Sequence, residues 1–250
     1  MAEKVRAVLL TKRFALGIYL QRRLAASGYL AGTVFEHRSR LPLLKRIAKR
    51  QGVRRTVDVL AYQIYDRFFR AGEFDSAVGG ILGNDILPAA EASELEGLSV
   101  PSVNDDAACR FIAGLSPDLL IVHATDLLKP ETYGLATRGA LNLHCGVLPE
   151  YRGHDTIFWA LAKRDRDHLG ATVHLIDQGA DTGAVLARAP IRFEDGDNDI
   201  TVWIRSFKAG VDVLLRILDS EFNPIQGSST RYPHYPHRGL SDYLHARHRW

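Results

Sequence analysis

The stretch Asp118-Leu119-Leu120-Ile121-Val122 constrains the fold more than any other in the 250-residue chain. Successive side chains of a strand point to opposite faces, so an unbroken apolar run must be covered on both. Such a strand belongs in the middle of a parallel sheet that carries helices on either side. The flanking sequence agrees. Val5 to Leu10 reads as a first strand, followed by a polar loop at Thr11–Arg13. A helix through Gly17–Leu24 ends near Gly28, and Tyr29 to Phe35 reads as a second strand. Strand, helix and strand in that order give a doubly wound, mostly parallel α/β sheet.

Further strands are expected at Ala77–Leu82, Ser99–Val103, Ala140–Leu143, Ala171–Ile176 and Val185–Ile191. Helices are expected from Asn104 to about Gly114, from Thr156 to Lys163, and from Asp199 to Ser220. Asn104, with Asp105 and Asp106 behind it, suits a helix start. Leu41 to Arg70 has helical periodicity with a break at Gly52, and reads as an inserted helical pair over about 38–72. From Asn223 onward, Pro224, Pro233, Pro236 and several histidines predict an irregular surface tail. The expected organisation is therefore one domain over 1–222 and a C-terminal extension over 223–250.

Charge matters in one place. Net charge is only +3, yet Arg40, Lys45, Arg46, Lys49, Arg50, Arg54, Arg55 and Arg67 face only Asp58 and Asp66 in the insert. This excess suits phosphate, nucleic acid or an anionic membrane surface as partner, and suits a solvated helical face equally. There is no secretory signal, no span long enough for a bilayer, and only Cys109 and Cys145 as cysteines. A cytoplasmic protein is expected. Neither G-x-G-x-x-G nor G-x-x-x-x-G-K-[ST] occurs, and the sheet by itself does not decide function.

The residues that could do chemistry lie in Asn142-Leu143-His144-Cys145-Gly146-Val147-Leu148-Pro149-Glu150-Tyr151-Arg152-Gly153. Ligands of open α/β sheets bind outside the carboxyl ends of the strands. Asn142 and His144 are two apart on an extended segment, so their side chains share a face. An amide donor beside an imidazole suits a carbonyl oxygen that gains charge while a proton is moved. Downstream, Asp177 and Asp181 flank a turn with Gly179 and Gly183. A carboxylate there could orient His144 or hold a water. The D-x-G-x-D-x-G run lacks the closing acid of a calcium loop, so no metal is expected. Cys145 could be a nucleophile, but a packed thiol fits its apolar neighbours better.

These residues, with Phe158-Trp159-Ala160-Leu161, Gly170-Ala171-Thr172-Val173-His174 and Ile176-Asp177-x-Gly179-x-Asp181-Thr182-Gly183, closely resemble the formyltransferase catalytic domain. The likeness is dense from Asp118 to Ile191 and loose elsewhere. It implies a Rossmann-like sheet, N10-formyltetrahydrofolate as donor, and a one-carbon transferase that needs no metal. By matching positions, Asn142 and His144 would polarise the formyl oxygen, and Asp181 rather than Asp177 would orient His144 and take the amine proton. Folate contacts would fall to His123, Ala124, Thr125, Leu127, Leu128, Asp177 and Gly179. Acceptor contacts would fall to Arg152, Gly153 and His154. The chain departs from the pattern at Gly146, where many members have Ser, and at 122–128, which lacks the usual glycine.

About thirty residues follow the last long helix, fewer than an RNA-binding barrel needs, and the first strand leaves no room for an N-terminal regulatory domain. The acceptor expected is thus a small-molecule amine, an amino sugar that is nucleotide- or lipid-linked, with no nucleic-acid partner and oligomerisation left open. The alternatives are a glycinamide ribonucleotide or methionyl-tRNA acceptor and, in another class, a non-catalytic basic nucleic-acid-binding protein. The scarcity of stacking aromatics on a sheet face weighs against the last.

Overall fold

The computed structural model describes residues 4–37, 40–83, 96–220 and 232–248. The Arg38 end of the insert and the expected boundary at 222/223 lie outside them. Seven strands form the main sheet: β1 (Ala7–Thr11), β2 (Leu30–Glu36), β3 (Leu98–Val100), β4 (Leu119–Val122), β5 (Ala140–His144), β7 (Gly170–Leu175) and β8 (Val185–Pro190). Their order is β3-β2-β1-β4-β5-β7-β8. The first five run parallel, while β7 is antiparallel to β5 and β8 to β7. A two-residue strand β6 (Arg152–Gly153) stands apart from this sheet.

The apolar run at 119–122 is β4, buried throughout and flanked by β1 and β5. Leu119 and Ile121 enter the core under α1 (Ala15–Ala26), together with Leu9, Leu141 and Leu143. Leu120 and Val122 point the other way, with Val8, Leu10, Ala108 and Ile112. Two covers on one strand explain the missing polar alternation.

The insert is helical from Arg40 to Tyr65 (α2), with Gly52 at φ 83° and ψ 168° separating two helices, as the sequence predicts. A π-helical turn, Asp66–Arg70, leads into α3 (Ala71–Leu82). The strand expected at Ala77–Leu82 is therefore helix. Phe74, Val78 and Leu82 lie at four-residue spacing and face inward, and the intervening Gly79 and Gly80 obscured that period.

Helix α4 (Asp106–Leu115) begins two residues later than expected. Asn104 does not cap it. Its Oδ1 accepts from the Lys129 amide and the Thr132 hydroxyl, each at 2.8 Å, and its Nδ2 donates to the Leu127 carbonyl at 3.0 Å. Lys129 starts the turn that leads into the short helix α5 (Pro130–Tyr133). Helix α6 (Thr156–Ala162) follows β6, and α7 (Asp199–Leu218) closes the sheet. Asn198 caps α7 reciprocally, its Oδ1 accepting from Ile200 and Thr201 while its own amide donates to Thr201 Oγ1.

The tail is not irregular throughout. Its strand β9 (His234–Tyr235) pairs in parallel with β6, and α8 (Leu240–Ala246) packs on α2. Ser241 donates to Asp58, Asp242 lies 2.6 Å from Arg55, and Tyr243 meets the rings of Tyr62 and Tyr65. Asp199, the first residue of α7, joins the pieces: it accepts from Arg70 of the insert at 2.6 and 3.1 Å and from Arg238 of the tail. Arg238 also donates its backbone N–H to Asp155, just before α6, at 2.9 Å.

Candidate active site

Asn142 and His144 project from β5 on the face opposite Leu141 and Leu143, which are committed to the core. The antiparallel register places His174 of β7 directly across from Asn142. His174 Nδ1 lies 2.7 Å from the Leu175 carbonyl, an acceptor only, so that nitrogen carries the hydrogen. Its Nε2 is then an acceptor, and Asn142 Nδ2 lies 3.0 Å from it. This fixes which way the Asn142 amide points.

His144 is held by the same logic. Its Nε2 is 2.8 Å from the Tyr151 carbonyl and must donate, which leaves Nδ1 as the nitrogen that exchanges protons. The position is tight: a Cβ on Gly146 would lie 2.7 Å from His144 Nε2 and 2.8 Å from the Tyr151 oxygen. The serine common at this position in resembling sequences has no room on this backbone.

The carboxylate arrives from the loop between β7 and β8. Asp181, at φ 52°, brings Oδ1 to 3.7 Å from His144 Nδ1, 3.6 Å from His174 Nε2 and 3.4 Å from Asn142 Nδ2. Its Oδ2 accepts from the Gly153 amide at 2.9 Å. Burial alone would raise its pKa. The charge of His144 and the Gly153 N–H outweigh burial and hold the carboxyl well below the usual range. The three residues singled out by sequence therefore meet at one point, and two partners join them that sequence reasoning gave no role: His174 and the Tyr151 carbonyl. His174 stands in the Gly-Ala-Thr-Val-His segment; only the strand register reveals what it touches.

The other expected contacts are divided. His123 is buried, donating through Nδ1 to the Leu143 carbonyl at 3.1 Å, with its ring between Phe14 and Phe207. Burial pushes its pKa down to about 4, so it is a neutral core histidine rather than an accessible contact. Leu128 likewise packs into the core. Ala124, Thr125 and Leu127 face outward, on a loop braced by Glu36 at the Asp126 amide and by Asn104. Asp177 is an exposed turn-builder, accepting from the Gly179 amide and the Thr182 hydroxyl. Gly179 gives Thr182 its space.

Arg152 donates to the Ala180 carbonyl at 2.8 Å, which ties the Asp181 loop to β6. Gly153, at φ 98°, approaches β9 more closely than any side chain would allow. The His154 ring stacks on His237, with centroids 3.8 Å apart. Cys145 packs against the core, and burial pushes its thiol up to about 12, away from the thiolate a nucleophile needs. Among the described residues, no group of His, Cys, Asp and Glu could hold a metal ion.

An oriented amide donor, an imidazole with one free nitrogen and an ionised carboxylate can stabilise an oxyanion and accept a proton without a covalent intermediate. Known proteins share this chain's sequence and fold. A methionyl-tRNA formyltransferase of Chlorobium chlorochromatii is 32% identical over 133 residues, which is 53% of this chain and 42% of that protein. The chain thus spans about two fifths of the curated relatives it matches. A sugar N-formyltransferase from Shewanella superposes at a TM-score of 0.58, with 14% identity over 95% of this chain and 78% of that one. An N-formyltransferase from Helicobacter canadensis, solved with folinic acid and dTDP-3-aminofucose, superposes at 0.58 with 12% identity, covering 92% of this chain and 70% of that one. At such identity these two likenesses establish the fold. The sequence model of the formyl transferase family matches residues 83–218, more than half of the chain, and the protein belongs to the formyl transferase family.

Proposed function

We propose that the protein transfers the formyl group of N10-formyltetrahydrofolate to the primary amine of an amino sugar, nucleotide- or lipid-linked. One observation carries the reading: Asn142, His144 and Asp181 converge within 3.4 to 3.7 Å. The loop with the exposed Ala124 and Leu127 follows β4, whose Val122 pairs with Asn142, and that position at the carboxyl edge of the sheet supports folate contacts there. When bound, the folate supplies an activated formyl carbon.

This chain's residues do the rest. Asn142 Nδ2 and protonated His144 Nδ1 donate to the formyl oxygen as it gains negative charge. Asp181 keeps His144 oriented, and takes the proton that the amine must lose once the new C–N bond forms. The proton then passes to the departing nitrogen, so charge balances over the cycle. Arg152, Gly153 and His154 stand on the acceptor side. The sugar acceptor is supported by the Shewanella and Helicobacter neighbours. The curated sequence matches favour methionyl-tRNA instead.

The test offers the donor with a panel of amines: several amino-sugar nucleotides, glycinamide ribonucleotide and charged initiator tRNA. Tetrahydrofolate release should appear with an amino sugar and fall by about two to three powers of ten in His144→Ala. Release with no amine in the panel, or undiminished release in that variant, refutes the reading.

A further inference from the structure

Among the described residues eight large apolar side chains are exposed, and six of them lie on one short segment: Val53, Val57, Leu60, Ile64, Phe68 and Phe69. From Val53 to Phe68 the spacings are four, three, four and four residues, which is one stripe along the second helix of α2 and the π-helical turn after it. Single exposed aliphatics are ordinary, but a continuous row is a contact surface. The stripe is not the core-facing side. Val59 and Tyr62 of the same helix are buried, Tyr62 and Tyr65 pack against Tyr243, and Asp58 is engaged by Arg55 and Ser241. The helix is apolar on two sides, and the described residues cover one.

Charge says what covers the other. Lys45, Lys49, Arg50, Arg54 and Arg67 are exposed in the same segment. Its two acids, Asp58 and Asp66, are held by Arg55 and by Tyr62 and Arg70. We infer that this segment docks the protein on an anionic lipid surface, with Ile64, Phe68 and Phe69 entering the headgroup boundary and the arginines meeting lipid phosphates. A second copy fits poorly, because a two-fold contact through this stripe brings the exposed Arg54 and Arg67 of one copy near those of the other. RNA fits less well, since four of the six side chains, Val53, Val57, Leu60 and Ile64, offer it neither hydrogen bonds nor stacking, and the two rings, Phe68 and Phe69, sit together at one end. Docking is superficial, for among the described residues no helix is long and apolar enough to cross a membrane. The inference is independent of formyl transfer.

The experiment floats the full chain with phosphatidylcholine vesicles, with and without phosphatidylglycerol, at low and high salt. Capture is expected only with the anionic lipid and only at low salt. Phe68→Ser/Phe69→Ser should lower the bound fraction roughly tenfold or more, because each ring leaves the interface. Arg50→Glu/Arg54→Glu should abolish capture. Val57→Ser/Ile64→Ser repeats the test on the helix itself, and circular dichroism melting verifies that each variant is folded. Three results overturn the inference: no capture of the wild type at low salt, capture unaffected by both apolar double variants, or light scattering that shows a dimer which Phe68→Ser/Phe69→Ser makes monomeric.

Discussion

Asp181→Asn tests the centre of the mechanism, because it keeps the shape and removes the charge. The amide can still accept from Gly153, whose N–H lies 2.9 Å from Oδ2 in the wild type. What disappears is the negative charge 3.7 Å from His144 Nδ1. Two unit charges at that distance, in an effective dielectric of about 20, interact by roughly 4 to 5 kcal/mol. If that attraction holds the imidazolium while the formyl oxygen gains charge, its loss removes about three powers of ten from kcat/KM. The assay is tetrahydrofolate release with the amine that the panel identifies. Stability gives a second readout with a definite sign. The carboxyl's folded pKa is depressed, so its stabilisation is fully present above the unfolded value near 4 and is lost as pH falls through the folded pKa. The variant should therefore unfold at lower urea than wild type at neutral pH, with the gap closing in acid. A kcat/KM within tenfold of wild type refutes the reasoning.

Three further outcomes are expected. His174→Ala removes the acceptor 3.0 Å from Asn142 Nδ2 and frees that amide to rotate; steady-state kinetics should show kcat lower by about tenfold to a hundredfold with KM little changed. Arg238→Ala takes one of two guanidinium partners from the almost fully buried Asp199, which keeps Arg70, and one from Asp155; urea unfolding should report a loss of about 1.5–3 kcal/mol. Gly210→Val drives a Cβ to 2.5 Å from Leu143 Cδ1 and 2.8 Å from Ala171 Cβ, so α7 must lift from the strands behind the site; the expected cost of about 1–3 kcal/mol is read as a lower melting temperature.

What the sequence revealed and what it concealed follow from the range of the interactions. β4 was legible because covering both faces leaves a local mark, four apolar residues in a row. Asn142, His144 and Asp181 were legible because their spacing matches a known pattern. Helix α3 was not read correctly, since Gly79 and Gly80 interrupt a period carried by Phe74, Val78 and Leu82. The tail failed for another reason. Prolines and histidines at 233–237 look irregular locally, and β9 exists only because β6, some eighty residues earlier, offers an edge. The role of His174 and the true partners of Asn104 likewise depend on strand register and on a distant loop, neither of which composition or periodicity can encode.

The pairing of β6 with β9 decides how small a working enzyme could be made. The stretch that matches the family runs from 83 to 218, so a fragment trimmed to it would forfeit β1, the neighbour of β4, and also β9. With β9 gone, Gly153 loses the strand it pairs with, the Arg152 bond to the Ala180 carbonyl is left to tie β6 to the Asp181 loop, and the carboxylate would drift from His144 although every motif residue was still there. Portability of this active site therefore extends at least through β9, to Tyr235, and a truncation series should lose turnover at the tail well before it loses the sheet.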